Sequence, residues 1–297
     1  MAALEPGDVL SYSAGSTQTG PSGYRKVRPR GSLLAAAASR WPELIDALHP
    51  GPVFFINAYP AYLGTFSPGI TVDTYLSART LSRALQLAHL GKHPVILAGQ
   101  PLFVADALLR HVAAGRPLPE TLMLWVGGYA MAHSLERMLE ALLAPLLGQF
   151  LVVQYFGAAE ADAGCLMGRA RNPEGAVIYY PRDDVTAELD GDQLLLSVRA
   201  ATGEPIVERF RTGDLARPYQ DGWVIWNPRR LHPAVHDALE SWQDADWKRR
   251  TGYLRRADEA MWIQLREGET PSAPGELEHF DFARRFGFAW LEKPNWR

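Results

Sequence analysis

Apolar runs typical of buried strands alternate with runs of helical periodicity through the first half of this chain of 297 residues. The strand-like runs are short and bounded by glycine or proline, as in Gly51–Tyr59, Pro94–Gly99 and Thr121–Gly128. Segments such as "PLFVADALLRHVAAGR" and "AHSLERMLEALLAPL" lie between them and have the spacing of amphipathic helices. A last strand-like run, "QFLVVQYFG", ends at Gly157. The alternation predicts an α/β fold with a largely parallel sheet covered by helices.

After Gly164 the pattern changes to short extended runs separated by Asp-Gly or proline turns, as in "GAVIYY", "AELDGDQLLLSVR" and "GWVIWN". Such runs predict an antiparallel, strand-rich section. The stretch "NPRRLHP" that follows is typical of a linker, and helix, strand and helix patterns come after it. We therefore predict a large domain at residues 1–226 and a small, lid-like α/β domain at residues 227–297.

Composition excludes several classes of partner. The net charge is −3 and 21% of the residues are charged, so no overall positive field attracts nucleic acid or an anionic membrane. No uninterrupted apolar run of about eighteen residues is present, which predicts no membrane span. Cys165 is the single cysteine, and a single thiol forms no internal disulfide, which fits a reducing cytoplasm.

One loop near the start of the chain is rich in small hydroxyl residues and glycine. It reads "SYSAGSTQTGPSGYRK", from Ser11 to Lys26. Backbone N–H groups in such a loop can surround phosphate oxygens, and Lys26 can neutralise their charge. The spacing does not match the Walker pattern. Taken alone, the loop is more typical of an ordinary surface loop.

Two later loops carry a carboxylate at a predicted strand end. In "QYFGAAEA", Glu160 stands four residues after Phe156; a carboxylate there can hold Mg²⁺ and an aromatic ring can cover a purine. In "FRTGDLARPYQDGW", Asp214 follows a Thr-Gly turn, where it can accept hydrogen bonds from both hydroxyls of a ribose. Each loop also has a simpler interpretation. Glu160 then caps the next helix, and Asp214 then belongs to a hairpin turn.

The order of these elements is more specific than any one of them. "SYSAGSTQTG", "WVGG", "QYFGAAEA" and "FRTGDLARPYQDG" resemble, in order, the phosphate loop, the Gly-Gly or Gly-Ala element, the Tyr-Gly-x-Thr-Glu motif and the Tyr-x-Thr-Gly-Asp motif of the acyl-adenylating superfamily. That superfamily includes acyl-CoA synthetases, peptide-synthetase adenylation domains and firefly luciferase. The resemblance covers most of the chain. Arg229, fifteen residues after Asp214, matches an arginine of that superfamily, and Arg256 is a second candidate for it.

The resemblance implies that the chain binds ATP or an acyl-AMP together with Mg²⁺. It assigns to the phosphates Ser13, Gly15, Ser16, Thr17 and Lys26. It assigns to the adenine Gly127, Gly128, Phe156 and Gly157. Glu160 would hold the Mg²⁺, Asp214 the ribose hydroxyls, and Arg229 the ribose or a phosphate. The residues with catalytic roles would then be Glu160, Arg229 and Lys26.

The implied reaction is attack of a carboxylate on the α-phosphorus of ATP with release of pyrophosphate. The acyl group then passes to a thiol of CoA or of a carrier protein, and positioning and charge neutralisation carry such chemistry. The acyl pocket would be lined by aromatic side chains that suit a small aryl acid or an apolar chain, namely Tyr59, Tyr62, Phe66 and Tyr129. Ordinary core packing explains any one of these four equally well.

The sequence departs from the superfamily pattern at several positions. Gln18 stands where a glycine normally follows the threonine, and Ala159 replaces the threonine before the glutamate. The phosphate loop begins close to Met1, which predicts that a large N-terminal subdomain is missing and that a second chain or a dimer partner supplies it. Lys293 does not match the superfamily's catalytic lysine.

Three functions therefore stay open at the level of sequence. The first is a compact, AMP-forming ligase acting on a small carboxylic acid. The second is a non-catalytic nucleotide- or acyl-binding protein that serves as a scaffold or partner. The third is an acyl transferase that receives a preformed acyl-adenylate or thioester.

Overall fold

The computed structural model describes residues 10–12, 24–26, 31–49, 51–59, 69–74, 77–158, 161–200, 202–226, 240–241, 243, 253–257 and 260–264. The helices are α1 (Gly31–Arg40), α2 (Glu43–Ala47), α3 (Ala78–Leu90), α4 (Pro101–Ala113) and α5 (His133–Leu143), the last followed by a 3₁₀ turn at Ala144–Leu146. The strands are β1 (Leu10–Tyr12), β2 (Tyr24–Lys26), β3 (Val53–Ala58), β4 (Gly69–Asp73), β5 (Val95–Gly99), β6 (Thr121–Gly127), β7 (Gln149–Ala158), β8 (Asp162–Arg171), β9 (Val177–Pro181), β10 (Val185–Asp190), β11 (Gln193–Arg199), β12 (Pro205–Tyr219), β13 (Gly222–Trp226), β14 (Tyr253–Ala257) and β15 (Ala260–Gln264).

One sheet of eleven strands runs through the described part of the chain, in the order β10-β11-β12-β13-β9-β8-β7-β6-β5-β3-β4. Strands β4, β3, β5, β6 and β7 pair in parallel. From β7 onward each neighbouring pair is antiparallel. The predicted change from parallel to antiparallel pairing is therefore confirmed, and it occurs at β7.

The parallel strands are buried on both faces, which explains their continuous apolar sequence. In β3 the side chains alternate between two cores: Phe54 and Ile56 pack with α3, α4 and α5, whereas Phe55 packs on the opposite face against residues of α1 and α2. Successive side chains of a strand point to opposite faces, so one apolar run can fill both cores.

The antiparallel strands enclose a third core that contains Leu194, Leu196 and Val198 of β11. Cys165 of β8 lies in the same core and is fully buried. Exposed ion pairs cover the outer part of this region, such as Arg209 with Glu188. Packing on one face and charge on the other give the alternating pattern of a half-buried antiparallel sheet.

Two strands differ from the expectation. The run "VDTYLSARTLSRALQLAHLGKH" has helical spacing and predicts a helix from Val72, but Val72 and Asp73 end β4, an edge strand. The helix α3 begins only at Ala78, where the Ser77 side chain accepts a hydrogen bond from the Thr80 N–H and caps the first turn. Strand β8 was not predicted either.

The tail of the chain, residues 227–297, is described only in part. Glu240 and Ser241 are helical, in agreement with the predicted helix there, and β14 and β15 form a hairpin. The boundary predicted between residues 226 and 227 stays a prediction. In the described part of the chain, no helix combines the length and the apolar character that crossing a membrane requires.

Candidate functional site

A cleft of about 990 Å³ opens at the carboxyl ends of β6 and β7. Parallel α/β sheets bind ligands at this edge, and the volume is in the range of small-molecule sites. Its lining comes from both halves of the sheet: Gly128, Tyr129, Ala130, Met131, His133, Ser134, Arg137, Tyr155, Phe156, Gly157, Arg171, Asn172, Pro173, Glu174, Gly175, Ala176, Val177, Tyr179, Asp214, Arg217, Val224, Ile225, Trp226 and Glu240.

The cleft brings together three of the elements predicted from the sequence. Five of the predicted site residues line it: Gly128, Tyr129, Phe156, Gly157 and Asp214. They come from the loop after β6, from β7 and from β12. The other predicted residues do not line this cleft or lie outside the described residues. Ser13, Gly15, Ser16, Thr17, Tyr62, Phe66, Glu160 and Arg229 belong to the second group, and Lys26 lies in β2.

Asp214 is held by a bulge in β12 rather than placed at a strand end as predicted. Leu195 pairs with Arg211 and Gln193 pairs with Leu215, so β12 has extra residues between these pairs. Gly213 occupies this bulge with φ +76°, a backbone conformation that favours glycine. The carboxylate-bearing residue that follows is fully buried.

Thr212 fixes the backbone next to Asp214. Its hydroxyl donates to the Leu194 carbonyl at 3.0 Å and accepts from the Asp214 N–H at 3.0 Å. Both contacts are buried, and the Thr212 side chain uses its donor and an acceptor at once. The Thr-Gly-Asp triplet therefore fixes the backbone from which the Asp214 carboxylate extends.

The two glycines after Trp125 and Val126 permit close packing of aromatic side chains. A Cβ at Gly127 would lie 2.6 Å from the Tyr155 ring, and a Cβ at Gly128 would lie 2.8 Å from the Tyr59 hydroxyl oxygen. Gly128 also has φ +91°. In the structure these glycines make room for Tyr59 and Tyr155, and their predicted role in letting an adenine approach the backbone stays a prediction.

Tyr129 lines the cleft, but its hydroxyl is bound within the protein. Its hydroxyl accepts a hydrogen bond from the Leu102 N–H at 3.0 Å, in the first turn of α4. The side chain before this turn, Gln100, makes no cap of its own. Burial raises the pKa of the Tyr129 hydroxyl, so this group stays neutral while it holds the loop to α4.

Phe156 and Tyr179 form an aromatic pair in the lining of the cleft. The rings of Phe156 and Tyr179 lie 6.2 Å apart between centroids in an edge-to-face arrangement. Both residues line the cleft, and burial raises the pKa of Tyr179. The wall therefore offers an apolar aromatic surface to a flat ligand.

Arg171 of β8 is a residue that the sequence analysis missed. Its guanidinium donates to the Met131 carbonyl at 2.8 Å, to the Gly175 carbonyl at 2.7 Å and to the Glu136 carboxylate of α5. From the other side, the buried Gln154 amide oxygen accepts from the Met131 N–H at 2.8 Å. The loop between β6 and α5 is thus held by β7, by β8 and, through Tyr129, by α4.

Further charged side chains line the rim, and the sequence analysis missed them too. Glu174 forms an ion pair with Arg217, and Arg137 of α5 lies on the same cleft. His133 begins α5, shortly after the glycine loop. Free N–H groups at a helix start attract polar or anionic groups, so this helix start is a local sequence signal for a polar site here. Arg171 and Glu136 are 35 residues apart, and no local pattern joins them.

Metal binding by Glu160 stays a prediction, because that residue lies outside the described part of the chain. Among the described residues, no group of three or more His, Cys, Asp or Glu side chains is placed to hold a metal ion.

No protein-family model matches the chain, and no curated protein sequence matches it either. The crystal structure of the anthranilate CoA ligase AuaEII in complex with anthranoyl-AMP matches with a TM-score of 0.56 and 14% sequence identity, over 93% of this chain and 60% of that one. An acyl-CoA synthetase (AMP-forming)/AMP-acid ligase II-like protein from Dyadobacter fermentans matches with a TM-score of 0.46 and 18% identity, over 71% and 58%.

The match to AuaEII covers nearly all of this chain, so the chain has the fold of an adenylating ligase. It spans about three fifths of the length of these two proteins, at 60% and 58%. The α/β fold class predicted from the alternating pattern and from the motif order is confirmed.

Proposed function

We propose that the chain is a compact, AMP-forming ligase that activates a small carboxylic acid as an acyl-adenylate at the expense of ATP. The observation that supports this most is the convergence of Gly128, Phe156 and Asp214 on one cleft of about 990 Å³. These residues are widely separated in sequence, and each belongs to a motif whose resemblance to the acyl-adenylating superfamily assigns it to the nucleotide. The adenylating-ligase fold supports the same function.

The residues in the cleft suit the parts of an adenylate. Phe156, next to Tyr179, presents an aromatic surface on which a purine can stack. Asp214 is fully buried, and a carboxylate at such a position can accept hydrogen bonds from both ribose hydroxyls. The Thr212 contacts fix the backbone that carries that carboxylate before a ligand arrives, which lowers the entropy cost of binding.

In the proposed reaction an oxygen of the substrate carboxylate forms a bond to the α-phosphorus of ATP. The bond from that phosphorus to the bridging oxygen breaks, and pyrophosphate leaves with the electron pair. An acceptor thiol, of CoA or of a carrier protein, then displaces AMP from the acyl group. Glu160 for Mg²⁺ and the loop from Ser13 to Lys26 for the phosphates are part of this proposal.

The decisive experiment is pyrophosphate release from ATP measured against a panel of small aliphatic and aryl carboxylic acids. Asp214→Asn keeps the shape of the side chain but removes its charge, so we expect AMP affinity to fall about 10- to 100-fold. Asp190→Asn is the matched control, because Asp190 is exposed, pairs with Arg211 and does not line the cleft. Equal AMP affinity in both variants would contradict the assignment of Asp214.

A second candidate is nucleotide binding without turnover. Ala159 and Gln18 favour it. Ala159 stands in place of a threonine and lacks the hydroxyl that the superfamily uses at a phosphate, and Gln18 in place of a glycine hinders close approach of the backbone to phosphate. Calorimetry with AMP and with a non-hydrolysable acyl-adenylate mimic separates the two. Tight binding with no pyrophosphate release from any acid would support binding alone.

A further inference from the structure

A carboxylate from the tail of the chain lies at the start of α5. The backbone N–H of His133 donates to the two carboxylate oxygens of Glu240 at 2.9 and 3.1 Å, and the N–H of Ser134 donates to one of them at 3.4 Å. The two partners are 106 and 107 residues away in sequence. This is a tertiary contact that no motif in the sequence predicts.

The contact supplies hydrogen-bond acceptors that α5 lacks at its own N-cap. The first N–H groups of a helix have no partner within the helix, and a negative charge near them is stabilising. Ala132, at the N-cap position, offers no side-chain acceptor to them. Glu240, although distant in sequence, therefore accepts the hydrogen bonds that an N-cap side chain normally accepts.

The same contact lies inside the cleft. Glu240, His133 and Ser134 all line it, together with Gly128 and Asp214. Glu240 thus contributes a negative charge to the lining of the cleft that we assign to the nucleotide, in addition to Arg137 and Arg217 there. A phosphorylated ligand in this cleft would meet an unfavourable charge there for as long as Glu240 stays on α5.

We infer that Glu240 is an inhibitory latch: its carboxylate binds the first turn of α5 and opposes entry of an anionic nucleotide until it is displaced. The nucleotide part of this inference rests on the proposed function, whereas the contact between Glu240 and α5 does not. Loss of a capping carboxylate changes the equilibrium of such a contact about 3- to 30-fold.

The latch itself is tested without any ligand, by hydrogen exchange of the backbone amides of His133 and Ser134. In Glu240→Ala these two amides should exchange about 3- to 30-fold faster than in the wild-type protein. Glu240→Gln should give an intermediate rate, because an amide oxygen still accepts but carries no charge. Glu140→Ala is the control, since it removes an exposed carboxylate from the same helix away from its start. Unchanged exchange in Glu240→Ala would overturn the latch.

The inhibitory role is tested by calorimetric titration of the same variants with AMP. Glu240→Ala should bind AMP about 3- to 30-fold more tightly than the wild-type protein and than Glu140→Ala. Equal or weaker binding by Glu240→Ala would overturn the inhibitory role. If no variant binds AMP, the proposed function fails and the inhibitory role fails with it, while the exchange rates still decide whether Glu240 holds α5.

Discussion

The parallel and antiparallel halves of the sheet are stabilised in different ways. In the parallel half, strands such as β3 are buried throughout and separate two apolar cores. In the antiparallel half, residues 211–217 of β12 alternate between buried and more exposed positions, and exposed ion pairs cover one side. The cleft lies where the two halves meet. One half therefore supplies a rigid base of apolar packing, and the other supplies most of the charged groups that line the site.

The residues that line the cleft also come from both halves of the sheet. The glycine loop with Gly128 and the strand with Phe156 belong to the parallel half. Asp214, Arg171 and Arg217 come from the antiparallel half. Strand β7 belongs to both, because it pairs in parallel with β6 and antiparallel with β8.

The largest effect on stability is expected from a change in the parallel half of the sheet, whose strands are buried on both faces. Phe55→Ala should lower the free energy of unfolding by about 4 kcal/mol, because a side chain that is 1% exposed would leave a cavity between the sheet and α1 and α2. The measurement is urea unfolding followed by tryptophan fluorescence.

Ile206→Ala in the antiparallel half is the matched change for Phe55→Ala. Ile206 is 43% exposed on β12, so its replacement should cost no more than about 0.5 kcal/mol. Similar losses for the two variants would remove the contrast between the halves.

A smaller effect is expected at the junction of the halves. Arg171→Ala should cost about 3 kcal/mol, because it leaves Glu136 and two carbonyls of the cleft without their largely buried partner. Arg209→Ala removes an exposed ion pair with Glu188 and should cost less than about 1 kcal/mol. The same unfolding measurement compares the two variants. A larger loss of unfolding free energy for Arg209→Ala would show that the contacts of Arg171 around the cleft contribute little to stability.

The smallest effect is a pH dependence confined to the parallel half. Burial lowers the pKa of His111 below its usual value of 6.5, and Arg116 acts in the same direction, against the hydrogen bond to the Pro117 carbonyl. Ser82 lies 2.8 Å from the other ring nitrogen. Because the unfolded chain binds this proton more readily, stability should fall as the pH falls through 6.5 and level off once the folded protein also binds it.

The check is the free energy of unfolding of wild-type protein and of His111→Gln between about pH 8 and pH 5. The wild-type protein should lose more stability over this range than the variant does. Curves that stay parallel would show that His111 does not contribute.

Much of the fold was predictable because buried strands and amphipathic helices have strong periods. Strands β3, β5, β6 and β7 are continuous apolar runs, and the structure contains each of them. Edge strand β4 was missed because it is short and partly exposed, with Ile70 at 39%. Strand β8 was missed because Gly164 and Gly168 make its sequence resemble a loop.

The candidate site was predictable only where a local motif marks it. Gly128, Phe156 and Asp214 each belong to a short motif, and the structure brings them into one cleft. Arg171 and Glu240 act through partners 35 to 107 residues away, and single-sequence patterns do not report such contacts. The bulge around Asp214 was also missed, because its extra residues are evident only from the pairing of β11 with β12.

The burial of Cys165 has a practical consequence. It is the single cysteine of the chain and lies fully buried in the third core, so thiol reagents should react with it only when the protein unfolds. A cysteine introduced at an exposed position such as Glu140 would then take up a fluorescent or spin label alone in the native state. Two such positions, one on either side of the cleft, would allow its width to be measured in solution.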